Sequence, residues 1–405
     1  MLHATHYYCR LIGTSCIILE DALKKRVRAF AEGAMVMACP VLLAVALQKV
    51  NLKSAGNGGF LPGSISPLAA LTLEAGLLPF LCLSLPCRLL VAQDLLFRAS
   101  KALVHLCALL LMALACGILL LISTKNLYYI AVLPPLVLLT LWRCFLSMRS
   151  GRDHDDAVYR GCDEMLERSL DFSASVTSLL FLGLEGLALE GQSSSSGQPL
   201  LGVSLGAAFV ACALGVFAML LGTVPPLVTD DAGGRKMCNV VEALNVVLAV
   251  ATAVIVLLIT SVPLGEAAWL LFVPLLLSFV VWMYTALAVD DGHQLAGHGA
   301  AVGEGEEGEG FWRPASMELT KVTFTGFLAV SVPTYSDSSI SSYTHGFILL
   351  TAAAVVSGLG WRLLTHRMAP SRALVTAANV SSFCAHLCVA AAVVPFTTMA
   401  VNALK

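Results

Sequence analysis

The sequence predicts an all-α polytopic membrane protein, a transmembrane helix bundle of about eleven spans, and three observations predict it. Of 405 residues 58% are hydrophobic and only 12% are charged, where a soluble domain carries roughly a quarter charged residues. Several apolar runs reach the roughly 20 residues needed to cross a hydrocarbon layer about 30 Å thick at about 1.5 Å per residue. Lys and Arg are divided very unequally between the links that join those runs. A soluble chain of this size shows amphipathic stripes in place of unbroken apolar runs.

Residues 1–29 read as a cytoplasmic N-terminal segment. The apolar patch Leu11 to Leu19 is short, has only Arg10 before it and shows no small-x-small cleavage pattern, so it does not read as a cleaved signal. Lys24, Lys25, Arg26 and Arg28 directly precede the first long run, where a cytoplasmic anchor belongs. Residues 30–147 form a first four-helix unit with spans at 30–48, 66–86, 102–123 and 127–147. The cytoplasmic loop 148–171 mixes arginines with acids and has the composition of an interfacial amphipathic helix. A second four-helix unit, 172–289, has spans at 172–189, 200–222, 241–262 and 266–289. Residues 290–321 form an acidic, Gly-rich cytoplasmic linker. Its run Gly303 to Gly310 holds only glycine and glutamate, whose repulsion and flexibility forbid a packed core. A third unit, 322–405, has three spans at 322–335, 343–360 and 374–398. No loop is large enough for a soluble catalytic domain.

The run 322–335 is short and rich in hydroxyls, and two arguments place it across the membrane. With that crossing and the N-terminus inside, 20 Lys and Arg face the cytoplasm and only Lys49, Lys53, Lys125 and Lys405 face out. Without it the division weakens to 18 against 6, and the cytoplasmic bias of Lys and Arg prefers eleven spans.

The second argument is an internal repeat. Cys87-Arg88-Leu89-Leu90 followed by Ser100-Lys101-Ala102-Leu103-Val104 reappears as Trp361-Arg362-Leu363-Leu364 followed by Ser371-Arg372-Ala373-Leu374-Val375. The steps Leu23 to Phe30, Met165 to Phe172 and Met317 to Phe324 each span seven residues into an apolar run. Gly- and Ser-rich links follow at 54–66, 191–197 and 336–342. Leu133-Pro134 with Trp142 and Val273-Pro274 with Trp282 share one spacing. Three units beginning near residues 20, 160 and 312, the last without a fourth helix, give a 4+4+3 arrangement. An even number of helices per unit makes the units parallel rather than inverted repeats.

Charge, cysteines and motifs exclude several function classes. A net charge of −2 offers no basic field for nucleic acid. Most of the thirteen cysteines fall in apolar runs, where Cys acts as a small hydrophobe, and no CxxC pair occurs. No phosphate-cradling Gly-rich loop, GxSxG or HExxH is present, so no enzyme activity, cofactor or metal is expected. Cys384, His386 and Cys388 suit a metal on paper, but on a helix His386 points about 160° from the two cysteines. Asp290, Asp291, His293 and His298 form a small cluster that reads as a solvated loop. Asn379-Val380-Ser381 fits a glycosylation pattern inside a span.

Ionisable groups within spans are the default functional candidates, because burying charge in hydrocarbon is costly. Glu74 lies deepest and is the favoured coupling carboxylate, with His105 as a proton-relay partner; Glu32, Glu185 and Glu242 lie nearer span ends. The competing reading has Glu74 packed on a serine or backbone group, and His105, His345 and His386 bonded to neighbouring helices. Pro40, Pro79, Pro134, Pro135 and Pro274 free backbone carbonyls that either coordinate ions or accompany helix kinks.

The strings Lys321 to Pro333 and Gly360 to His366 resemble plant multi-pass membrane proteins, of grass type, that carry no assigned activity. The resemblance implies a multi-pass membrane protein and no site residues, cofactor or substrate. The expected function is therefore a membrane scaffold or interaction protein whose loops 148–171 and 290–321 dock protein partners. The alternative is a small-solute or ion transporter with Glu74 as its coupling carboxylate.

Overall fold

The computed structural model describes residues 23, 25–43, 62–84, 90–122, 124–149, 163–191, 199–224, 231–292, 317–331, 341–365 and 372–403. Among these residues the chain is helical and contains no strand. The helices are α1 (residues 25–43), α2 (Pro62–Ser84), α3 (Leu90–Ile122), α4 (Leu133–Arg149), α5 (Asp163–Gly191) and α6 (Pro199–Thr223), followed by α7 (Asp231–Leu264), α8 (Val273–Gly292), α9 (Met317–Ser331), α10 (Ser342–Thr365) and α11 (Arg372–Ala403). Short 3-10 helices, Thr124–Val132 and Gly265–Phe272, lead into α4 and α8. Among the described residues, six helical stretches are long and apolar enough to cross a membrane: Arg98–Leu120, Tyr128–Met148, Gly202–Thr223, Gly233–Leu287, Ser342–Leu364 and Ala373–Asn402. Ile65–Pro79 and Leu319–Ser331 are shorter apolar helices.

Several helices outrun the apolar stretches that announce them. The expected inner link 87–101 is helical from Leu90, and the last third of the expected interfacial segment 148–171 is the opening of α5. Leu, Ala, Gln, Arg and Lys are good helix formers, so α3 continues into polar sequence without penalty. Helices α5 and α7 open on Asp163-Glu164 and Asp231, acids that favour the positive end of a helix dipole. Residues 150–162 and the Gly/Glu run of the linker lie outside the described residues, as do most of the Gly/Ser-rich links.

The Pro-to-Trp repeat has a backbone counterpart. Pro134 and Pro135 stand in the first turn of α4 and Pro274 in that of α8, each directly after a 3-10 helix. Proline has no N–H to donate four residues back, and it is tolerated in a first helical turn for the same reason. The chain ahead pairs one residue closer: the Val273 amide donates to the Leu270 carbonyl. Gly265 opens the second 3-10 helix with φ +58°, a left-handed conformation that costs glycine nothing. It divides the long apolar run Gly233–Leu287 into α7 and α8.

The helices gather into two compact units, Met1–Thr252 and Ala253–Lys405. In the first, α3 touches α2, α4, α5 and α6, and α5 pairs with α6. Small residues set the spacing. A methyl group added at Gly33 of α1 would come within 2.8 Å of Met219 and 3.3 Å of Ala174, and one at Gly222 of α6 within 3.2 Å of Leu170. Gly215 faces Thr177, and Gly206 faces the Tyr129 ring of the first 3-10 helix, with no room for a Cβ at either. Lipid tails are as apolar as leucine, so such van der Waals approach, rather than hydrophobic burial, drives helix association.

Helix α5 is buried around nearly its whole circumference between Phe172 and Phe181, although Ser169, Ser173, Ser175, Thr177 and Ser178 lie along it. The hydroxyls do not solicit water. Ser173 donates to Leu170 O (3.1 Å), Thr177 to Ser173 O (2.6 Å) and Ser178 to Ala174 O (2.7 Å), so each is satisfied by its own helix. Helix α7 buries one stripe, Cys238, Val241, Asn245, Leu248, Thr252, Ile255 and Ile259, at helical spacing. Asn245 Nδ2 donates to Ser169 Oγ and Ser169 O.

In the second unit α10 is the central helix and touches α8, α9, α11 and the second 3-10 helix. A methyl group at Gly358 would meet Thr320 of α9 at 2.6 Å, and one at Gly360 would meet Leu275 of α8 at 2.6 Å. Ser381 of α11 donates to Ser357 O at 2.8 Å. Phe30, Phe172 and Phe324, which share one seven-residue step in the sequence, are buried to 0%, 3% and 1% exposure.

Candidate functional site

Glu74 stands midway along α2 but on its exposed face. The face that meets α3 carries Thr72, whose carbonyl accepts the Cys107 thiol at 3.5 Å, and Gly76, which lies against Ala34 and Cys107. Two residues on a helix turn about 200°, so Glu74 points away from that contact on both counts. His105 is 1% exposed on α3. The two expected members of a relay therefore do not share a face.

His105 instead belongs to a polar cluster at one end of the first unit. Lys101 and His105 are spaced four apart on α3 and both are buried. His105 Nδ1 lies 2.7 Å from Lys101 O. A carbonyl only accepts, so Nδ1 carries the hydrogen and Nε2 is the acceptor of the neutral ring. Nε2 is buried without a hydrogen-bond partner among the described residues. Arg143 of α4 lies within electrostatic reach of the same ring. Its Nη2 donates to Val224 O, just beyond the last residue of α6, at 2.5 Å. A cation on the last carbonyls of a helix satisfies an orphan acceptor and opposes the negative end of the dipole.

Arg143 is thus a clip between α4 and α6. Arg143→Met removes a charge-assisted bond and lowers unfolding stability in detergent by about 2 kcal/mol, and Arg143→Lys recovers part of the loss. An Arg143→Met protein as stable as wild type would remove the clip.

Glu185 of α5 is the buried carboxyl among the described residues. It is 8% exposed, its Oε1 has no hydrogen-bond partner among the described residues, and it lies within electrostatic reach of Cys212 on α6. The sequence gives it less prominence than Glu74 because it sits late in its span. A signal was nonetheless present: Ser178 and Glu185 are seven apart, hence on one face of a helix whose hydroxyls recur at Ser169, Ser173 and Thr177.

The remaining candidates occupy structural positions. Glu32 pairs with Arg28 one turn away at 2.9 Å, both half exposed or more. Glu242 is half-buried near the start of α7. His386 is exposed and its Nδ1 lies 2.8 Å from Ser382 O, while Cys384 is buried on the other side of α11. No group of three or more metal-ligating side chains occurs among the described residues. His345 is half-buried near the start of α10. Asp290 and Asp291 close α8, and His293 and His298 lie outside the described residues. Pro79 O accepts the Ser100 hydroxyl at 3.3 Å. That tie joins the end of α2 to α3.

Compared with models of protein families, with curated proteins and with solved structures, the chain has no match.

Proposed function

We propose that this protein is a non-enzymatic membrane scaffold or interaction protein. It has eleven spans in a 4+4+3 arrangement and a cytoplasmic N-terminus, and it acts by holding partners rather than by moving solute. The observation that carries the reading is the separation of Glu74 from His105: a coupled path needs its titratable groups to converge, and these occupy an exposed and a buried face. Ser173, Thr177 and Ser178 of α5, the natural lining of a polar path, support it as well, since they are bonded back to their own helix. Eleven spans are supported by one helix within each of the eleven expected segments, and by the left-handed Gly265 that interrupts the 55-residue apolar run. A straight helix of that length would measure about 80 Å, far more than a bilayer core of about 30 Å.

A small-solute or ion transporter is the second reading, and Glu185 favours it, because a buried intramembrane carboxyl whose Oε1 has no hydrogen-bond partner among the described residues is a functional candidate by default. Proteoliposomes separate the two. The scaffold reading expects no solute- or cation-dependent proton flux above empty vesicles, for wild type and for Glu185→Gln alike. A flux present in wild type and in Glu74→Gln but lost in Glu185→Gln overturns it.

A further inference from the structure

The exposed face of α2 has the spacing of a helix-packing seam. Pro67, Leu71, Glu74, Leu78 and Leu81 are all exposed and follow one another at intervals of four, three, four and three residues. That is the alternation by which one helix receives the knobs of another. Leu71, Leu78 and Leu81 are 53%, 44% and 55% exposed. Leucine on such a face suits lipid as well as protein. A carboxylate at its middle does not, because hydrocarbon offers it neither water nor a donor.

The repeat shows what this face meets elsewhere in the chain. Gly76 of α2 touches Ala34, four residues after Phe30; Gly215 of α6 touches Thr177, five residues after Phe172. Aligning the two glycines places the α2 seam on Gly206, Val210, Ala213, Phe217 and Leu220. Gly206, Ala213, Phe217 and Leu220 are buried in α6, and Gly206 lies directly under Tyr129 of the 3-10 helix that leads into α4. Helix α6 packs on that 3-10 helix and on α4, as α10 packs on the second 3-10 helix and on α8. The second helix of a unit is thus covered by the fourth element of another unit in two cases. The same face of α2 is open among the described residues.

We propose that the Glu74 seam of α2 is a docking site for a membrane-spanning helix of a partner polypeptide that carries a basic side chain at mid-depth. The proposal rests on the scaffold reading and gives it a site. Charge selects the occupant. A second copy of this chain packed two-fold through α2 would set Glu74 against Glu74, like charges in a medium that screens them poorly. A helix with a central Lys or Arg neutralises the carboxylate, and a single polar pair within an apolar seam fixes register and partner.

Fluorescence transfer in phosphatidylcholine vesicles tests this on the full chain. The acceptors are synthetic Leu/Ala spanning peptides with Lys, Leu or Glu at the centre. The Lys peptide should bind wild type about tenfold more tightly than the Leu peptide, and Glu74→Gln should erase most of that preference. Leu78→Trp, which fills the seam and leaves Glu74 in place, should weaken all three peptides; thermal unfolding of both variants reports whether they remain folded. Equal binding of Lys and Leu peptides to wild type overturns the proposal. So does a preference that Glu74→Gln retains, or a dimer of this chain that Leu78→Trp dissolves. Its failure leaves the scaffold reading standing, since that reading falls only to a measured flux.

Discussion

Gly215→Ala unfolds more readily than wild type, by about 2 kcal/mol, even though alanine is the better helix former. In an exposed helix interior the same change stabilises by about 1 kcal/mol. Here the added methyl would overlap Thr177, whose hydroxyl oxygen, Cβ and Cγ2 crowd the position. Thr177 cannot step aside cheaply. Its χ1 is restricted by β-branching, and its hydroxyl is held on Ser173 O at 2.6 Å. Overpacking of this kind costs about 1–3 kcal/mol beyond the propensity gain, so the clash wins. A double-mutant cycle isolates it: Thr177→Ala alone costs about 0.5 kcal/mol, and added to Gly215→Ala it brings the loss down from about 2 to about 1 kcal/mol, a coupling of about 1.5 kcal/mol. Denaturant or thermal unfolding in detergent reads all three. A Gly215→Ala protein at least as stable as wild type would mean that α5 and α6 do not approach this closely.

The same contact explains what was legible in the sequence. The positions of the helices were, because the apolar runs and the charges that bracket them are one-dimensional signals. The faces were not. In α2 the strings that decide orientation are Thr72 and Gly76, small residues that let α3 and α1 close in. Glu74, the conspicuous residue between them, is turned away by that choice. In α5 polarity does not mark an outer face. Its serines and threonine make it one of the less apolar helices, which suggests a peripheral place, yet small hydroxyls bonded to their own helix pack as closely as alanine. Glu185 goes inward with them, on the face that its seven-residue spacing from Ser178 marks. The 3-10 entry to α4 and α8 was half legible: Pro134 and Pro274 announce a missing donor, but Gly265 declares its left-handed backbone only in three dimensions.

Phe30→Ala, Phe172→Ala and Phe324→Ala each lower stability by about 3 kcal/mol, toward the lower end of what truncating a buried phenylalanine costs. The lower end follows from the medium. A side chain released from this interior enters lipid rather than water, so little transfer energy is lost, and the penalty is the packing left unmade around the cavity. The three residues follow the same seven-residue step in the sequence and are buried to 0%, 3% and 1% exposure. Equivalent roles therefore predict losses within about 1 kcal/mol of one another. Phe145 of α4 is 59% exposed, and its alanine variant should change stability by less than about 0.5 kcal/mol. Phe324 lies 6.0 Å from the Phe327 ring, centroid to centroid, tilted by 33°. An aromatic pair adds about 0.5–1.5 kcal/mol beyond area, so Phe324→Leu should recover the volume but not the ring contact. If Phe30→Ala or Phe172→Ala behaves like Phe145→Ala, the three phenylalanines are not equivalent, and the repeat is a likeness of sequence without a shared packing role.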